Sequence, residues 1–132
     1  NSSYPTPISD VNLSVISTLK KEFEDFYDDK LVHFGYSDHT VNKYVLLNSI
    51  IKYNSKMIEF HIDLDGRGFE FNSGHCWLPN QIKDVIDTID LITKCEGNPK
   101  ITNSKSEEVE REWRADPSDG LRPLKHTRKN IS

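Results

Sequence analysis

Apolar residues at Leu13, Ile16, Leu19, Phe23 and Phe26 recur at steps of three and four, so they line one stripe of a helix. Lys20, Lys21, Glu24 and Asp25 fall elsewhere around it. With Ser9 or Asp10 as a cap after Pro7, the pattern predicts a helix over about residues 10–28. Leu31 to Tyr36 reads as a short strand. The dense run from Tyr44 to Tyr53 does not fix its own period, but its β-branched and aromatic content favours a strand. From Ile58 to Leu64 every second residue is apolar, Asp65-Gly66-Arg67-Gly68 supplies turn chemistry, and Phe69-Glu70-Phe71 alternates again. This predicts a hairpin with an Asp65-Gly66 loop that sets Ile62 opposite Phe69 and buries Phe60, Ile62, Phe69 and Phe71.

A second helix begins at Pro79, carries Ile82, Val85, Ile86, Ile89 and Ile92 along one face, and ends at Gly97 before Pro99. The expected class is therefore α+β: an N-terminal helix, an antiparallel meander of three or four strands, and a second helix, with both helices on one face of the sheet. Residues 1–97 form the expected domain, and residues 98–132 a polar C-terminal arm. In the arm, Ser104 and Glu107 have the spacing of a capping box.

At 132 residues the chain has the length of one domain with its own core. No apolar run reaches the roughly 18 residues of a membrane span, and the start has no signal-type segment, so a cytoplasmic location is expected even though the first residue is Asn1. Cys76 and Cys95 are too few for a disulfide framework, and the predicted helix between them would hold them about 28 Å apart. Charge divides the chain. From residue 120 onward the only charged residues are Arg122, Lys125, Arg128 and Lys129, so this tip is +4; with a net charge of −4 overall, residues 1–119 carry −8. The acidic body is thus a poor binder of nucleic acid, which is expected, if anywhere, at the basic tip.

Chemistry concentrates on the predicted hairpin. Glu59, His61, Asp63 and Asp65 fall on one side of a strand, and Glu70 joins them from the partner. These residues read first as the solvated face of a half-buried sheet, with no cofactor expected; the alternative is a divalent metal, for which His61, Asp63, Asp65 and Glu70 are the candidate ligands. His61 to Gly66 resembles the opening of an EF-hand loop, but Asn72 stands where a bidentate Glu should close the site. Asp63-Leu64-Asp65-Gly66 also resembles the nucleophile motif of haloacid-dehalogenase-type phosphatases, over four residues only. Cys76 beside His75 is the one pair suggestive of a nucleophile, although neighbours on a strand point to opposite faces.

The arm offers Trp113 flanked by Arg111 and Arg114, followed by Arg122 and Lys125, a composition suited to contact with a partner. Together these features predict a small non-enzymatic protein-binding module of inhibitor, immunity or regulatory type, with an acidic body suited to a basic protein and an arm suited to homo-oligomer contacts. The alternatives are a metal-dependent hydrolase on the His61, Asp63, Asp65 and Glu70 face, and nucleic-acid binding by the tip.

Overall fold

In the computed structural model, residues 2–24 and 32–131 are described. They fall into two compact units, Asn1–Glu96 and Gly97–Ser132. Helix α1 spans Val15–Glu24 after a 3-10 turn at Ile8–Asp10. Strand β1 spans Gly35–Asp38, helix α2 Lys43–Ile51, strand β2 Met57–Ile62, helix α3 Phe69–Asn72, strand β3 Cys76–Trp77 and helix α4 Pro79–Glu96. Phe26 and Leu31, and the expected end of the first helix, lie outside the described residues.

The sheet is parallel, which overturns the expected antiparallel meander. Its order is β1-β2-β3, with Asp38 beside Phe60 and His61 beside Cys76. The cause is the segment read as a strand from Tyr44 to Tyr53, which is helix α2 instead. Asn42 caps it, its side chain accepting from the backbone N–H groups of Tyr44 and Val45. A helix between two strands makes a crossover, and a crossover returns the chain in parallel. The predicted hairpin fails for a related reason. Phe69-Glu70-Phe71 forms the single turn of α3, so Phe69 is 86% exposed and Ile62 49% exposed rather than both buried.

The core gathers Leu13, Ile16, Tyr36, Val45, Leu46, Trp77 and Val85, with Ile58, Phe60, Ile82 and Ile89 packed against it. Strand alternation sends Tyr36, Asp38, Phe60 and Trp77 to this side of the sheet, and sends Ser37, Glu59, His61 and Cys76 to the other. Gly35 is required where β1 runs along β2, since a Cβ there would meet the Met57 carbonyl oxygen at 2.5 Å.

The second unit has no buried residue among those described, so polar contacts organise it. Helix α5, Lys105–Glu110, has the capping box expected of Ser104 and Glu107. Asp116 accepts from the Ser118 hydroxyl and from the backbone N–H groups of Lys125 and Ser118, which hold its carboxyl well below the usual range against a small desolvation effect. Helix α6, Lys125–Ile131, is tied back by His126 and Thr127 to Glu112, and by Arg128 to Asp119. Among the described residues, no helix is long and apolar enough to cross a membrane.

Candidate metal centre at the strand ends

Parallel register does what the sequence could not: it carries residues far apart in the chain to the same end of the sheet. Because Asp38 pairs with Phe60, the next residue along each strand brings His39 beside His61, and His61 pairs in turn with Cys76. The carboxyl ends of parallel strands are where α/β sheets ordinarily hold ligands. The His39 and His61 rings lie 5.2 Å apart between centroids, and the His61 and His75 rings 5.1 Å apart. Tyr4 packs on all three, at 4.0 Å from His39, 5.7 Å from His61 and 5.3 Å from His75. Its segment is fixed there by a backbone hydrogen bond from Thr6 to the His39 carbonyl at 2.9 Å.

Two sets of donor atoms lie within coordinating reach of one another. One is His39, Glu59 and His61; the other is His61, Glu70, His75 and Cys76. In the first set His39 is buried, and the Ser37 hydroxyl donates to the Glu59 carboxylate. In the second, Glu70 Oε2 lies 3.2 Å from His61 Nδ1, 3.8 Å from Cys76 Sγ and 4.0 Å from His75 Nε2. Burial raises the pKa of the Cys76 thiol, and the charges of Glu70 and Asp63, together with its hydrogen bond to Glu70, raise it further.

Asp38 anchors the loop that presents His39. It is fully buried and accepts from the Trp77 indole N–H at 2.9 Å, the Thr40 hydroxyl at 2.6 Å, the Thr40 backbone N–H at 3.2 Å and the Tyr36 hydroxyl at 3.3 Å. Burial, the Asp38 charge and the hydrogen bond to Asp38 all push the Tyr36 phenol upward, so it stays protonated and remains a donor. Three residues past Asp38, Val41 holds a left-handed φ of 48°, an unfavourable conformation for a β-branched residue, kept in place by its packing against the core.

Of the four expected ligands, the fold brings His61 and Glu70 together and assigns Asp63 and Asp65 elsewhere. Asp63 Oδ1 accepts from the backbone N–H groups of Asp65 and Gly66, and Oδ2 from that of Gly68. Partial desolvation acts to raise the Asp63 carboxyl, but these backbone hydrogen bonds outweigh it, and the net shift is downward. Asp65 is exposed and accepts from the Arg67 backbone. Cys76 and Cys95 are free thiols, the first buried and the second exposed. In the second unit, Arg111 and Trp113 lie on a 3-10 turn with Arg114 after it, Trp113 is 52% exposed, Arg122 precedes Pro123, and Lys125 opens α6.

His39 and the role of His75 had no local signature, whereas Glu59 shared the acidic strand face with His61 but was not among the four expected ligands. Ser37-Asp38-His39-Thr40 runs across the end of β1 without a second ligand at motif spacing, and only the parallel pairing reveals the partner of His39, 22 residues on.

A model of the NeuB family matches residues 1–100. The chain belongs to the NeuB family. This NeuB-family chain is also 34% identical, over 97 residues, to an uncharacterised protein of Methanocaldococcus jannaschii, the match covering 74% of the chain and 26% of that relative. Its fold is similar to the crystal structure of N-acetylneuraminic acid (sialic acid) synthetase from Leptospira borgpetersenii serovar Hardjo-bovis in complex with citrate. That match has a TM-score of 0.58 and 28% identity, covering 89% of the chain and 38% of the synthetase. A Chromobacterium violaceum protein assigned as spore coat polysaccharide biosynthesis protein E shares the fold at a TM-score of 0.57 and 22% identity, over 86% of the chain and 32% of that protein. The chain thus spans about a quarter of the curated relative and about two fifths of the synthetase. Membership of this family overturns the expected non-enzymatic protein-binding module, together with its hydrolase and nucleic-acid alternatives.

Proposed function

We propose that this chain forms part of a sugar-acid synthase of the sialic-acid type, and that His39, Glu59 and His61 hold a divalent cation at its strand ends. The observation that carries the reading is the parallel register that sets His39 beside His61 on the ligand-binding edge of the sheet, in a chain matched by the NeuB family over residues 1–100. The donor chemistry fits. Two imidazoles and a carboxylate suit a divalent first-row metal, and their ligand atoms lie within 4.8 Å of one another.

A cation bound there supplies Lewis-acid polarisation of a substrate oxygen. The chain's own residues do the positioning. Asp38 fixes the turn after β1 and so sets His39; Ser37 steadies Glu59; and the Tyr4 ring, packed on the imidazoles, keeps water from one side of the cluster. The matched synthetase carries citrate, a polycarboxylate, which supports a site that receives an acidic ligand.

The test is a thermal melt with Mn²⁺, followed by calorimetric titration of N-acetylneuraminic acid into the Mn²⁺-loaded chain. A cation at a hundred times its Kd stabilises the folded state by about 2.7 kcal/mol, a rise of several degrees. His39→Ala should abolish both the rise and sugar-acid binding. A melt unmoved by Mn²⁺, or one moved equally in wild type and His39→Ala, would reject this reading.

A further inference from the structure

The second donor set differs from the first in kind. His39, Glu59 and His61 offer only nitrogen and oxygen, whereas His61, Glu70, His75 and Cys76 add a thiol. Three of these side chains converge on a single atom, Glu70 Oε2, at 3.2, 3.8 and 4.0 Å. Ligands around a tetrahedral zinc ion lie roughly 3.3–3.6 Å apart, and the ligand atoms of this set all lie within 4.8 Å of one another, so closing it needs shifts of about 1.5 Å or less. His75 is buried at 6% exposure and is the member of the set that presents Nε2 toward Glu70.

We infer that His61, Glu70, His75 and Cys76 form a second cation site, of the zinc class, beside the His39, Glu59 and His61 set. Two imidazoles, one thiolate and one carboxylate make the four-coordinate, borderline-soft environment that zinc prefers and that manganese or magnesium does not. Binding replaces the S–H bond of Cys76 with a metal–sulfur bond and releases the proton to solvent. His61 is common to both sets and turns Nδ1 toward Glu70. Register explains why the sets adjoin, since His61 pairs with Cys76 on β3 just as its other neighbour in the sheet leads to His39.

Cobalt(II) is the probe, because it takes zinc sites and reports sulfur ligation through a thiolate-to-cobalt charge-transfer band. The titration uses the full chain with Cys95→Ser, which removes the exposed thiol. A charge-transfer band should appear with strong tetrahedral visible bands, and zinc should displace them. Cys76→Ser should abolish the charge-transfer band. His75→Ala, and Glu70→Gln at an exposed position that leaves the fold alone, should each weaken cobalt binding about tenfold or more. His39→Ala should leave the band in place while losing the Mn²⁺ response, so this site and the proposed function fail separately. Absence of the band, its survival in Cys76→Ser, or undiminished affinity in Glu70→Gln would overturn the second site.

Discussion

Asp38 and Asp63 both stand at the carboxyl end of a strand, one as the last residue of β1, paired with Phe60, and the other three residues past Phe60 and just after β2, and each accepts the backbone N–H two residues on. Their surroundings differ. Asp38 is fully buried and reaches across to the Trp77 indole on β3, so one carboxylate couples the turn carrying His39 to the far strand. Asp63 is partly exposed and satisfies only its own loop, through Asp65, Gly66 and Gly68. The same turn chemistry therefore serves tertiary structure in one case and local structure in the other, and burial decides which.

The largest expected break in the comparison is Asp38→Ala. It leaves the Trp77 indole, the Thr40 backbone and hydroxyl groups and the Tyr36 hydroxyl without their buried acceptor, and should destabilise the fold by about 3 kcal/mol or more in a denaturant melt. Next is Gly68→Ala, where a Cβ would run into the Asp63 carboxylate. It should loosen the loop leading to α3 and weaken cobalt binding through Glu70, while the Mn²⁺ response attributed to His39 persists.

Asp63 itself gives a pH signature. Its carboxyl is held below the ordinary range in the folded state, so its contribution is complete above the unfolded value near 3.8 and is lost as pH falls through the lowered folded value. Asp63→Asn should flatten this part of the acid limb of a stability–pH profile; an unchanged limb would show that the carboxylate is not the group titrating. The smallest effects belong to Asp65→Asn and Phe69→Ala, both on exposed residues, which should stay within about 0.5 kcal/mol of wild type.

What the sequence made legible follows the same division between local and tertiary signals. The second long helix, from Pro79, and the Ser104–Glu107 capping box were readable because caps and periodicity act over a few residues. The run from Tyr44 to Tyr53 misled because its apolar residues surround the helix rather than line one side; the Asn42 cap was the clue available. Phe69-Glu70-Phe71 alternates like a strand, yet one helical turn accommodates three residues equally well. At the site, His61 and Glu70 could be paired from the expected hairpin, although the fold joins them by another route. His39 could not, since only the parallel pairing of β1 with β2 makes it a neighbour. His75 and Cys76 were judged by strand alternation, but β3 begins at Cys76, so that rule does not govern the pair.

The central claim is that His39 and His61 share a cation, and the direct measurement is an anomalous difference map from a crystal of the full chain soaked in Mn²⁺. A peak is expected at coordinating distance from ring nitrogens of both His39 and His61, with Glu59 nearby. A well-occupied map with manganese only on other surface carboxylates, and none between these two rings, would contradict it.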